Sequence, residues 1–192
     1  MQIPHHCTLC PRACGADRAA GQRGFCGADN TLRVARAALH HWEEPCLSGD
    51  PNAETGSGTV FFSGCNLRCV FCQNYEISRE NKGVEISDEK LVSIFEKLIS
   101  QGAHNINLVN PSHYACRLAS VLSKWKSPVP IVYNTSGYDS VETLKMLDGL
   151  VDIYLPDFKY TRSDKALRYS KAADYPETAK AALAEMYRQQ PR

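Results

Sequence analysis

The stretch TVFFSGCNLRCVFCQN (Thr59–Asn74) opens on a short apolar run and carries three cysteines, Cys65, Cys69 and Cys72, spaced C-x-x-x-C-x-x-C. The run Thr59–Phe62 suits a short buried strand, so the thiols fall in the loop at that strand's carboxyl end. Thiolate is a soft ligand that suits zinc and iron–sulfur groups, and a four-iron cubane takes one ligand per iron. Three cysteines would hold three irons and leave the fourth open, whereas a structural zinc site is closed by four protein ligands. The alternative reading of the same loop is a zinc site completed by a distant Cys or His.

Outward from this loop the pattern becomes regular. SDEKLVSIFEKLISQG starts with Ser87 or Asp88 as a cap, sets Leu91, Ile94, Phe95, Leu98 and Ile99 at helical spacing, and stops at Gly102. INLVN (106–110) reads as a second strand, SHYACRLASVLSKW (112–125) as a second helix, and PIVYNTS (130–136) as a third strand. SVETLKMLDG (140–149) and VDIYLPDF (151–158) give a third helix and a fourth strand; DYPETAKAALAEMYRQQ (174–190) is a last helix entered through Pro176. Short apolar strands alternating with helices predict an α/β fold with a parallel sheet built by right-handed crossovers. Sites in such folds lie at the carboxyl ends of the strands. Four loops should therefore converge: the cysteine loop, VNPSH (109–113), NTSGY (134–138) and LPDFK (155–159).

Upstream, residues 1–57 read as an N-terminal Cys-rich metal-binding extension and connection, and 58–192 as the α/β unit. A short strand is expected at Leu32–Ala37, followed by the irregular stretch EEPCLSGDPNAETGSG (43–58). Cys7, Cys10, Cys14 and Cys26 supply four thiols, enough for a closed centre that zinc or an auxiliary iron–sulfur cluster would fit. Arg12 and Arg18 read as solvated, Cys46 and Cys116 as buried hydrophobes or bystanders, and His113 as structural. With a formal net charge of +1 and no run of like charges, nothing points to nucleic acid or an anionic membrane as partner. No apolar run reaches the length of a membrane span, and the N-terminus lacks a secretory pattern. The expected location is cytoplasmic, where clustered cysteines ligate metals rather than pair.

The residues GCNLRCVFC (64–72) resemble the radical S-adenosylmethionine signature C-x-x-x-C-x-aromatic-C, with Phe71 as the aromatic residue. Together with LCPRAC (9–14), the string GSGTVFFSGCNLRCVFCQN (56–74) is similar to the pyruvate formate-lyase activating enzyme-like branch, and the likeness runs from Cys7 to about Gln189. The resemblance implies a six-stranded partial (β/α) barrel, of which about four strand–helix units are recognisable here. Because such relatives continue through two more strands, the chain reads as C-terminally truncated.

The same resemblance implies a 4Fe-4S cluster on Cys65, Cys69 and Cys72, its open iron chelated by the amino and carboxylate groups of S-adenosylmethionine. It implies an electron donor such as flavodoxin or ferredoxin, and a 5'-deoxyadenosyl radical that abstracts hydrogen from a substrate. In the activase-like case that substrate is a glycine of a partner protein. Phe71 would pack against the adenine. The branch's Gly-Gly-Glu-Pro element falls on residues 108–111, where Pro111 matches and Asn110 offers an uncharged acceptor. Its Asp-Thr-Asn-Gly element falls on Asn134, which replaces the acid, and on Thr135; its Leu-Asp-Leu-Lys element places Asp157 and Lys159 in line. On this match Lys159 would neutralise the cofactor carboxylate, and Asp157 with Asn134 would hold a monovalent cation. Without the resemblance, Asp157 and Lys159 are an ordinary surface ion pair. The alternative function is a non-catalytic iron–sulfur or zinc-binding remnant.

Overall fold

The structure, a computed structural model, describes residues 5–191. In chain order the elements are β1 (Leu32–His40), α1 (Pro45–Ser48), β2 (Gly56–Phe62), α2 (Tyr75–Ser78), β3 (Val84–Ile86), α3 (Asp88–Ser100) and β4 (Ala103–Val109). They continue as α4 (Ala115–Lys124), β5 (Ile131–Thr135), α5 (Val141–Lys145), β6 (Ile153–Pro156), α6 (Ser163–Ser170) and α7 (Tyr175–Gln189). One six-stranded sheet in the order β3-β1-β2-β4-β5-β6 organises them. β2, β4, β5 and β6 are parallel, and these are the four strands that the alternating pattern predicts. β1 lies antiparallel to both β2 and β3, which makes the sheet mixed.

The structure departs from the sequence reading where the local pattern is weak. Residues 43–58, expected to be irregular, hold α1 and the start of β2, so a boundary between 57 and 58 falls inside a strand that is paired on both sides. Glycine lowers the strand signal there, yet Gly58 is needed: a Cβ on it would lie 2.8 Å from the Asn105 carbonyl oxygen and 2.8 Å from the Ala103 Cβ. β3 is only three residues long, and α6 has too few apolar positions to announce itself.

α3 and α4 cover one face of the sheet. Val60, Phe62, Ile106 and Leu108 meet Leu91, Phe95 and Leu98 of α3 and Leu118, Val121 and Leu122 of α4 in one buried cluster. Leu91 and Phe95 are fully buried, each worth roughly 2 kcal/mol of transfer free energy. The Ser87 hydroxyl caps α3 by accepting the Lys90 N–H at 3.1 Å, a contribution of about 1 kcal/mol.

Side-chain alternation sends the neighbouring residues to the opposite face. Pairing register lines up Phe61, Val109, Asn134 and Leu155 in one row across β2, β4, β5 and β6. Two residues earlier on β4 is Asn107, fully buried with neither side-chain amide atom partnered. The inner face of the sheet is thus partly polar, as a binding surface must be and an ordinary core is not.

The arginines expected in solvent are structural. Arg18 is 3% exposed and donates twice to the Asp29 carbonyl and once, at 2.6 Å, to the carbonyl of His113. Arg12 donates to the carbonyls of Asn66, Leu67, Ser170 and Lys171. His113 is buried and its Nε2 bonds the Ser63 carbonyl at 2.8 Å, tying the end of β2 to the 3₁₀ turn Ser112–Tyr114.

Burial pushes the His113 imidazole down to about 4 from its ordinary 6.5. Between those values the unfolded chain binds a proton that the folded chain excludes, so stability rises with pH across this window. Lowering the pH from 7 to 4 should remove about 3 kcal/mol through this residue. Urea unfolding of the wild type and of His113→Gln, which keeps an N–H donor, measures it: the acid loss should be smaller in the variant by about that amount.

Candidate functional site

The cysteine loop leaves β2 through Gly64 and is fixed by backbone bonds to distant segments. The Cys65 N–H donates to the Cys26 carbonyl at 3.2 Å, and the Val70 N–H to the Tyr169 carbonyl at 2.9 Å. The Asn110 side-chain amide donates to the Gly64 carbonyl at 2.5 Å, and that of Asn66 to the Tyr138 carbonyl at 2.6 Å. Gly64 has φ +88°, and a Cβ there would stand 2.5 Å from the Cys26 carbonyl oxygen. Only glycine fits this step.

Cys65, Cys69 and Cys72 all line one cavity of about 590 Å³, counting its open mouth. Asn110, Asn134, Thr135, Asp157 and Lys159 line the same cavity from the ends of β4, β5 and β6. Phe61, Phe62, Leu67 and Val109 supply apolar wall. Cys65 and Cys69 are buried and Cys72 is half-buried. Burial pushes the Cys65 thiol up, while the N–H groups of Leu67 and Arg68, each 3.4 Å from its sulfur, pull it down.

The polar residues differ in how free they are. Thr135 is committed: its hydroxyl donates to Asp139 at 2.6 Å and accepts from the Gly137 N–H at 3.3 Å. Asp139 is buried, also accepts from the Tyr133 hydroxyl at 3.1 Å, and has its carboxyl pushed up by burial. Lys159 and Asp157 form an ion pair at 2.5 Å. The Asn110 side-chain oxygen and the Ser136 hydroxyl are shielded from solvent without a partner. Ser136 escaped the sequence reading although it sits in NTSGY; nothing in its type distinguishes it from a turn serine.

Phe71 is the one residue of the expected set around this loop that stands outside the cavity. The residue is 57% exposed, and its ring meets Tyr160 and Tyr169 edge-on, with centroids 6.1 and 6.2 Å away.

The N-terminal thiols also gather. Cys7, Cys10 and Cys26 are buried and Cys14 is exposed. A Cβ on Gly24 would lie 3.0 Å from the Cys14 sulfur and 3.7 Å from that of Cys26. Burial pushes the Cys10 thiol up to about 12, with the neighbouring thiols adding to the rise. No disulfide joins any of the nine cysteines. Among the described residues no group of three or more His, Cys, Asp or Glu is set around a single-ion position. Among the same residues no helix is long and apolar enough to cross a membrane.

Residues 59–189 match the family model described as "Radical SAM superfamily". Two proteins of Methanocaldococcus jannaschii are similar to this chain. "Uncharacterized protein MJ0674" is 31% identical over 179 residues, covering 88% of this chain and 50% of that protein. "Uncharacterized protein MJ0808" is 25% identical over 154 residues, covering 73% of this chain and 46% of that protein. The chain therefore spans about half the length of the curated relatives it matches.

Gly64→Ala should destabilise the fold by about 2–4 kcal/mol, through left-handed strain plus the clash with the Cys26 carbonyl. Thermal unfolding beside Gly21→Ala, also at positive φ but with open space around it, separates the clash from the strain.

Proposed function

The chain belongs to the radical SAM superfamily, and from that premise we propose that Cys65, Cys69 and Cys72 hold a 4Fe-4S cluster beside S-adenosylmethionine in the adjoining cavity. Members of this superfamily generally bind both groups. The observation that carries the reading is the convergence of three thiols with polar residues from three further strand ends on one cavity.

The residues fit the two groups. Three soft thiolates match three irons and leave one iron for a ligand that is not protein. The unpartnered Asn110 oxygen is an acceptor for an ammonium group, and the Ser136 hydroxyl a donor or acceptor. When bound, cluster and cofactor together supply one-electron cleavage of a sulfonium bond and a 5'-deoxyadenosyl radical. Lys159, now paired with Asp157, would neutralise the cofactor carboxylate, and Asp157 with Asn134 would hold a monovalent cation. Thr135, with its hydroxyl spent on Asp139, positions the end of β5 rather than binding the cofactor itself. Phe71, exposed and braced edge-on by Tyr160 and Tyr169, leaves a ring face open against which the adenine would pack.

The activase-like role, with a flavodoxin or ferredoxin as electron donor and a glycine of a partner protein as substrate, is supported by LCPRAC (9–14) and the cysteine loop. The Cys7, Cys10, Cys14 and Cys26 thiols would hold an auxiliary cluster or, if drawn closer than they stand, zinc. A cation there would offset the burial that raises the Cys10 and Cys26 thiols, and the lesser repulsion from their neighbours.

Anaerobic reconstitution followed by S-adenosylmethionine and dithionite tests the central reading. Wild type should form 5'-deoxyadenosine and Cys69→Ala should not. Equal yields from the two proteins, or zinc in the Cys65 loop after purification without oxygen, would contradict it.

A further inference from the structure

The geometry points to Arg12 as a positioning residue for Cys65, acting through the two peptide groups that follow that cysteine. This rests on the cluster reading of the loop. The Arg12 Nε donates to the Asn66 carbonyl at 2.9 Å, and a terminal nitrogen donates to the Leu67 carbonyl at 3.2 Å. A trans peptide is planar, with its C=O and N–H pointing in opposite directions. The Asn66 carbonyl shares a peptide with the Leu67 N–H, and the Leu67 carbonyl shares one with the Arg68 N–H. Those two N–H groups are the donors to the Cys65 sulfur, both at 3.4 Å. A guanidinium that grips the two carbonyls therefore aims the two N–H groups at the sulfur.

Arg12 is itself held. Its other donors go to the carbonyls of Ser170, at 2.6 Å, and Lys171 at the end of α6, and its plane lies 4.0 Å over the Phe25 ring. One fork thus joins the N-terminal segment, the cysteine loop and α6, a geometry that suits arginine and not lysine. The turn needs a grip, because Arg68 has φ 55°, a conformation that non-glycine residues keep only when their surroundings impose it. Hydrogen bonds to a ligating sulfur draw electron density from it and are one of the levers that set a cluster's potential. The Arg12 side chain, bonded to carbonyls and not to a thiol, raises the potential of a cluster held by Cys65.

The test compares reconstituted wild type, Arg12→Met, Arg12→Lys and Thr143→Val by redox titration. Thr143 ties the same N-terminal segment through the Leu9 carbonyl, at 2.6 Å, without touching residues 66–68. Arg12→Met should shift the midpoint to more negative potential and Arg12→Lys partway, while Thr143→Val keeps the wild-type value. A wild-type midpoint in iron-loaded Arg12→Met, or an equal shift in Thr143→Val, overturns the proposal. If Arg12→Met does not fold, Arg12→Lys is judged by the same criterion. Amide deuterium exchange at Leu67 and Arg68 is the second readout and works with or without iron. Exchange should quicken about tenfold or more in Arg12→Lys and not in Thr143→Val; unchanged exchange overturns the clamp. A wild type that takes up no iron fails the cluster reading alone, and the exchange data then decide the role of Arg12.

Discussion

Everything at the candidate site depends on how the backbone leaves β2. The cysteine loop has to turn through Gly64 in a left-handed conformation, pass within hydrogen-bonding distance of Cys26, and return toward the sheet so that three thiols share one cavity. The segments that hold it come from far apart in sequence: Cys26 before the sheet, Asn110 after β4, Tyr138 after β5 and Tyr169 in α6. Each of these contacts replaces water at a peptide group that would otherwise be buried unpaired. The loop therefore depends on the fold around it, and the fold is closed at this end by the loop.

That dependence explains which parts of the structure could be read in advance. The four parallel strands and α3 and α4 were legible because their apolar periodicity is strong, and the carboxyl-end rule then pointed to four loops whose residues line one cavity. Asn110, Asn134, Asp157 and Lys159 follow from that rule and from the resemblance, and all four line the cavity. Thr135 follows too, but no sequence pattern tells that its hydroxyl is turned to a buried Asp139 four residues on. The arginines were misread for a physical reason: an arginine satisfied by carbonyls that only the fold brings near, as Arg12 is by Asn66 and Leu67 and Arg18 by His113, looks in sequence like one satisfied by water.

The inner face of the sheet adds a second constraint. Asn107 and the Ser136 hydroxyl are buried without partners, a cost of about 1–3 kcal/mol for each group left unpaired. Natural folds keep such groups where a ligand, an ion or water completes them. Asn107 shares a face of β4 with the cavity-lining Val109, and Ser136 lines the cavity just past β5, so this face is built for occupancy and not for packing alone.

The central claim is that three thiols leave one iron to a cofactor. Mössbauer spectroscopy of the protein reconstituted with iron-57, with the N-terminal cysteines replaced by serine to silence that segment, tests it most directly. The account predicts four irons per chain, one of which changes its signal when S-adenosylmethionine is added while the other three do not. A cluster whose four irons respond alike, or do not respond at all, would contradict it.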